Sequence, residues 1–353
     1  MWLKDKFPEF YQPLLGDRID VTLPDERYAD CVNCHLCKTK KTSHYMSKCC
    51  TYHPLFPNYN IGGILLDEDP GLEEGKKRIL QKIQGKKGIT PYGIIPPKEF
   101  NDLITKRREE GRLFLLKEDE RKKLTCPFLD NGRCTVWKYR PELCMTYFCM
   151  PVSGANGQRF WNHLFQFIID MERKLSLYAL VELGYPKVQM VVNPEQIKKI
   201  SFHNDDDQFM PHVYKRFWRK WEGKEADLYK ESYRIISSLS QEDVEHILGW
   251  ESMLLFEKSM AAFSSLEQNQ IPNMLKFNPD VSVNENDPAW VKLQVGEEKI
   301  QLNRRRYLGL KQFDGNTTTY DILRANFGLT GVNSVFVQRM LKRGFLEDPE
   351  AEK

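Results

Sequence analysis

Nine cysteines fall in two tight clusters and none follows Cys149, which constrains this chain more than any other feature. The first cluster is Cys31-x2-Cys34-x2-Cys37, followed after eleven residues by the adjacent pair Cys49–Cys50. The second is Cys126, Cys134, Cys144 and Cys149. Packing uses thiols in ones and twos, whereas a metal needs several closely spaced thiolates on a backbone that turns back on itself. An odd number of cysteines also sits badly with a closed disulfide framework. All nine are therefore candidate metal ligands.

The rest of the composition fits a folded chain. At 353 residues, 41% apolar, it is long enough for two or three cores and too apolar for general disorder. The net charge of +3, with both signs interspersed, neither demands nor excludes a nucleic-acid partner. The first residues carry no apolar stretch of signal-peptide length, and no segment reaches membrane-spanning length. The expectation is a soluble cytoplasmic protein, with no membrane partner and with reduced thiols.

The expected fold class is α+β, mainly helical, with three regions: a loop-rich cysteine-cluster domain over 1–157, a helical region over 158–270, and a small winged-helix-like module over 288–348. Helices are expected over Leu72–Ile83 and Lys98–Glu110. Asn131-Gly132 marks a β-hairpin between Cys126-Pro-Phe-Leu-Asp130 and Arg133-Cys-Thr-Val-Trp137. A two-residue turn would pair Leu129 with Cys134 and set Cys126 on the opposite face. A three-residue loop would put both thiols on one face, the register expected if they share a metal. Pro141 is placed at the first position of a helix, with Cys144 in the first turn and Cys149 just over a turn later.

Beyond Gln158, Phe160, Trp161, Leu164, Phe165, Ile168, Met171 and Leu175 form an apolar stripe at helical spacing, ended by Gly184 and Pro186. Two more helices are expected, roughly His212–Ser238 and Gln241–Glu267, the second opened by Ser240 and Asp243 as a capping box. Residues 270–288 read as a linker. Beyond it, Val291–Val295 and Ile300–Leu302 alternate as two strands around Gly296. Thr318 with Asp321 opens a helix, and Ser334–Lys342 forms another, closed by Gly344-Phe345-Leu346.

Around the thiols, Lys38, Lys40, Lys41, Lys48, Arg133, Lys138 and Arg140 could offset thiolate charge. Arg140, beside the hairpin and before a helix start, is the expected donor to sulfur or to a carboxylate at a bound centre. His35, His44 and His53 flank the first cluster as alternative ligands; His163, His203, His212 and His246 are expected to be structural or exposed. Cys31, Cys34 and Cys37 have the spacing of three ligands of a bacterial ferredoxin cluster, and Cys126-Pro127 is the remote Cys-Pro candidate. The further cysteine that normally follows such a run is absent. The adjacent Cys49 and Cys50 cannot easily aim both sulfurs at one ion.

These residues carry a resemblance. Cys31-Val-Asn-Cys34 through Cys49–Cys50, then Cys126-Pro-Phe-Leu, Asn131-Gly-Arg-Cys134, Val136-Trp-Lys-Tyr139, Arg140-Pro-Glu-Leu-Cys144 and Tyr147-Phe148, resemble the CxxCxxCC family, a zinc- or iron-chelating domain also called YkgJ-like. The resemblance covers roughly residues 31–150 and implies a metal or iron–sulfur site shared by both clusters. In the family's compact run the cysteines lead directly into the pair, whereas Lys38–Lys48 intervene here, so the roles of Cys37, Cys49 and Cys50 stay open. A flagellin lysine N-methylase is among the family's relatives, which leaves room for an enzyme. Lys299-Ile-Gln-Leu302-Asn303, Phe313-Asp314-Gly315, Thr318 and Gly344-Phe345-Leu346 are similar to the PqqD-like winged helices that bind leader peptides.

Three functions follow. One is a metalloprotein holding a cysteine-ligated centre, with an iron–sulfur cluster (4Fe-4S) favoured and zinc as the alternative, serving redox chemistry or maturation. Another is a metal-dependent enzyme modifying a peptide or protein captured by residues 290–346. The third is a metal- or redox-sensing regulator whose winged helix binds nucleic acid through Arg304-Arg305-Arg306. No nucleotide loop, Ser/His/Asp arrangement or Cys-x3-Cys-x2-Cys spacing points to a particular reaction.

Overall fold

The computed structural model describes residues 1–26, 37, 49–110, 117–185, 207–266, 270–326 and 329–350. The chain is α+β and mainly helical, as its patterning implies. Its helices are α1 (Gln12–Leu15), α2 (Asn58–Leu66), α3 (Glu73–Gln84), α4 (Lys98–Glu109), α5 (Glu118–Leu124), α6 (Glu142–Thr146), α7 (Gly154–Glu182), α8 (Pro211–Trp218), α9 (Glu225–Ser237), α10 (Gln241–Phe263), α11 (Arg304–Leu310), α12 (Thr319–Asn326) and α13 (Ser334–Lys342). The strands are short: β1 (Phe56–Pro57), β2 (Ile89–Thr90), β3 (Gly93–Ile94), β4 (Leu129–Asp130), β5 (Arg133–Cys134), β6 (Met274–Phe277), β7 (Ser282–Asn284), β8 (Trp290–Val295), β9 (Glu298–Asn303), β10 (Asp314–Thr318) and β11 (Leu346–Glu347).

Residues 1–157 and 158–270 share their apolar interior. Leu3, Phe7, Tyr11 and Leu14 pack with Phe160, Leu164, Ile168 and Leu175 of α7 and with Val244 and Phe256 of α10. A second core joins Phe56, Ile61, Ile79, Ile94 and Phe128 to Trp218, Leu228 and Tyr229. Helices α2 and α9 approach so closely that a Cβ at Gly62 would lie 1.9 Å from the Tyr229 carbonyl oxygen. Only glycine permits that spacing.

The C-terminal module has its own core. In the antiparallel sheet β7–β8–β9, Val291 pairs with Leu302 and Leu293 with Ile300, and Val291, Leu293 and Leu302 turn inward onto Tyr307, Leu323, Val337 and Phe345. Local chemistry starts each helix. The Asn303 side chain accepts from the Arg306 N–H at 2.9 Å and the Asn333 side chain from the Phe336 N–H at 2.9 Å. Thr318 Oγ1 accepts from the Asp321 N–H at 3.1 Å.

Several expectations change. Residues 270–288 contribute β6 and β7, with Leu275 and Val281 buried, where a linker was expected. The single helix expected over His212–Ser238 is broken between α8 and α9, where Arg219 and Gly223 take positive φ (51° and 80°). Pro141 stands one position earlier than expected, as the cap before α6. The hairpin takes the two-residue turn, Asn131 (φ 45°) and Gly132 (φ 75°), so Leu129 pairs with Cys134. Strand alternation does not extend to Cys126, since β4 begins at Leu129. The Leu129 N–H bonds back to the Cys126 carbonyl at 3.0 Å, so Cys126 sits on a turn before the strand begins.

Candidate metal centre

The second cysteine cluster hangs on a short stretch that is tied down from below. Arg78 of α3 donates from Nη1 to the carbonyls of Pro127 (2.7 Å) and Leu129 (3.0 Å), and from Nη2 to Asp130 Oδ1 (2.8 Å). Thr135 donates to the Phe128 carbonyl from its N–H and its hydroxyl, both at 2.9 Å. Phe128 is buried against Phe56, so the hairpin is fixed on the second core. Cys126 and Cys134 are half-buried against that same core.

One backbone hydrogen bond connects this stretch to the first cluster. The Cys126 N–H donates to the Cys50 carbonyl at 2.7 Å, which ties the end of the first cluster to the start of the second. At the other end, the carboxylate of Glu26 accepts from the Val152 N–H (2.7 Å) and from Trp161 Nε1 (2.8 Å). Glu26 and Cys50 therefore contact the chain at Val152 and at Cys126. Cys31, Cys34, His35, His44 and Lys38, Lys40, Lys41 and Lys48, all between those two residues in the sequence, lie outside the described residues; His203 does as well.

The thiols share an electrostatic neighbourhood. Burial pushes Cys126 up to about 12, with Cys50 and Cys134 adding to the shift. Cys134 is raised by burial. Cys144 is held well above the ordinary thiol range, first by desolvation, then by Glu142 and by Cys126, Cys134 and Cys50. Cys144 is nonetheless exposed by surface area. Without a cation such thiols stay protonated and are poor nucleophiles; a bound cation lowers their pKa and compensates the charge. Among the described residues, no three of His, Cys, Asp or Glu converge closely enough to hold an ion by themselves.

The remaining candidates divide. Arg140 feels Cys144 and Cys134, but its hydrogen bonds go to the backbone, to the carbonyls of Trp137 (3.0 Å) and Lys6 (2.5 Å), and it stacks on the Trp137 ring. Lys138 is turned to Asp67, at 2.8 Å. Cys149 packs against the C-terminal core, beside Met150 and Val152. Cys37 and Cys49 are half-buried. His53 is buried beside Phe100; desolvation, then Lys82, lowers it to about 4, against the opposing carbonyls of Thr125 and Lys123. Neither ring nitrogen of His53 meets a partner in hydrogen-bond geometry.

Sequence reasoning missed a group directly beneath Cys144. Glu142, at the start of α6, and Glu172, within α7, are each 3% exposed, and their carboxyls bond to each other. Desolvation raises Glu142 to about 7 and, helped by the Glu142 charge, holds Glu172 well above the usual carboxylate range. The Tyr11 hydroxyl donates to Glu172 Oε1 at 2.7 Å and accepts from Asn60 Nδ2 at 2.8 Å. The signal was available: Glu172 is a charge at a core position of the stripe that includes Ile168 and Leu175.

Comparison with family models, with curated proteins and with solved structures finds no match. Among the described residues no helix is long and apolar enough to cross a membrane.

Proposed function

We propose that the chain is a metalloprotein of the CxxCxxCC, YkgJ-like kind, in which thiols of both clusters hold one inorganic centre. The observation that carries this reading is the Cys126-to-Cys50 hydrogen bond, together with the Glu26 anchor at Val152. Glu26 and Cys50, described residues on either side of Cys31 and Cys34 in the sequence, thus both contact the stretch around the second cluster. Together with Cys31 and Cys34, the thiols of Cys50, Cys126, Cys134 and Cys144 would supply a soft, thiol-rich donor set, which suits zinc or iron–sulfur and not hard cations. An iron–sulfur centre is favoured because the thiols exceed one zinc ion's needs. Such a centre supplies one-electron transfer when bound. The chain's own contribution is to fix the hairpin thiols through Arg78 and to place Cys144 where solvent or a partner reaches it.

The C-terminal module is the proposed capture surface for a peptide or protein substrate, through residues 290–346. It grips the chain immediately after Cys149. Gln338 donates to the Ser153 carbonyl at 2.7 Å and accepts from the Ala155 N–H at 2.8 Å, and the Ile271 N–H bonds to the Val152 carbonyl at 3.0 Å. A partner seated on the module is thus mechanically linked to the thiol layer. The regulator reading gains less: Arg304 pairs with Glu285 and Arg306 lies over the Phe336 ring, so two of the three arginines are engaged within the module. Anaerobic purification with metal and sulfide analysis tests the proposal. A brown protein containing iron and sulfide supports the favoured centre, a colourless zinc protein supports the alternative, and a metal-free folded protein rejects both.

A further inference from the structure

Basic residues crowd one stretch of the surface. Residues 211–224 carry Lys215, Arg216, Arg219, Lys220 and Lys224 against one carboxylate, Glu222, a net of +4. The whole chain carries only +3, so the rest of it is slightly acidic. All five cations are exposed, and among the described residues none of them enters an ion pair. The stretch is held firmly from beneath. Tyr214 and Trp218, four residues apart on α8, are buried in the second core, which leaves the cations on the outer side. The Tyr214 hydroxyl donates to Glu225 Oε1 at 2.7 Å, and the Tyr185 hydroxyl to the Trp218 carbonyl at 3.2 Å. The end of α3 joins this face. Lys86 Nζ lies 4.4 Å from the centre of the Tyr214 ring, and Gln208 Nε2 donates to the Gly85 carbonyl at 2.8 Å. Neighbouring carboxylates are already engaged. Glu222 stands 3.8 Å from Lys86, Glu225 also accepts from the Gly223 N–H at 2.9 Å, and Asp207 accepts from the Lys98 N–H at 2.7 Å.

Like charges crowded without partners repel one another, and a partner with repeated negative charge relieves that repulsion. Nucleic acid, an acidic protein and an anionic membrane all carry such charge. Protein partners dock through exposed aromatic or aliphatic anchors, and membrane-surface elements bury an apolar face. No large apolar side chain of residues 211–224 is exposed. Phe217 and Trp221, which alternate with the cations in sequence, are half-buried and keep part of each ring accessible. The unpaired bases of a single strand stack on such rings, whereas a duplex has no free base face to use them. We propose that residues 211–224, extended by Lys86 and Lys87, bind single-stranded nucleic acid through its phosphates, without sequence preference. This surface is distinct from Arg304-Arg305-Arg306, and the inference does not rest on the thiol reading.

The full-length chain is titrated into a fluorescently labelled oligothymidine strand and followed by anisotropy. The parent binds at about 50 mM salt and weakens about 50-fold by about 200 mM, as four phosphate contacts require. Lys215→Glu combined with Arg219→Glu, and separately Arg216→Glu combined with Lys220→Glu, each weaken binding at least about tenfold and flatten the salt dependence. These side chains are exposed, so both variants melt with the parent and keep its metal content. Arg305→Glu binds the strand as the parent does. Absence of binding at low salt overturns the proposal, as does unchanged affinity in both double variants. Tighter binding of a duplex, of polyglutamate or of phosphatidylserine-containing vesicles than of the strand also overturns it, because the stretch would then serve that other polyanion.

Discussion

The thiol layer and the C-terminal module reach order by opposite routes. The module is built from local instructions: capped helix starts, an alternating β8–β9 hairpin, and an apolar interior that closes on Phe345 and Leu346. The thiol layer has short strands, a single-turn helix at Cys144, and contacts drawn from far apart in the chain, such as Cys126 with Cys50 and Glu26 with Val152. Its thiols are pushed up by burial and by one another, a cost that a bound cation removes. The contrast teaches that one region is finished by its own core, while the other, on the proposed reading, would be completed by a ligand.

The sharpest way to break that contrast is to remove the ligand. Structural metal binding is worth on the order of 10 kcal/mol at neutral pH. Chelation should therefore collapse amide-exchange protection around Cys126–Thr146 while protection over Val291–Leu302 survives; equal loss in both regions would erase the distinction. The converse experiment is Phe345→Ala, which removes a fully buried ring. It should cost about 3–5 kcal/mol of stability and leave metal content unchanged, as read by thermal denaturation and elemental analysis.

A pH experiment sharpens the comparison further. His53 is held neutral, at about 4, whereas unfolded histidine titrates near 6.5. The unfolded chain binds more protons between those values, so stability should be full above about pH 6.5 and fall through about pH 4, by roughly 3 kcal/mol. His53→Phe should flatten that window; an unchanged acid limb would remove His53 as its source. The smallest effect expected is Asn333→Ala, which deletes the cap of α13 and should cost about 1 kcal/mol, seen as a few degrees in melting temperature.

What could be read in advance follows the same division. The α13 boundaries, Ser334–Lys342, and the Ser240 start of α10 were legible because caps and periodicity are local. The break between α8 and α9 was not, since apolar spacing runs through Trp218 and an arginine gives no sign of a positive φ. The strands in 270–288 were hidden by prolines and asparagines that occupy the turns. The hairpin register was misjudged by extending strand alternation to Cys126, where the chain is already turning. Cys149 could be assigned by spacing to the ligand set, but only tertiary structure shows it against the C-terminal core. Glu142 passed as an ordinary helix-start carboxylate, and the one local signal, Glu172 at a core position of the α7 stripe, did not name its partner.

The account stands on the two clusters sharing one centre, and metal content in paired variants tests this most directly. Cys34→Ser and Cys134→Ser, purified anaerobically beside the parent, are predicted each to lose the same metal, with the same loss of absorption. Full metal content in either variant, with its fold intact, would contradict the shared centre.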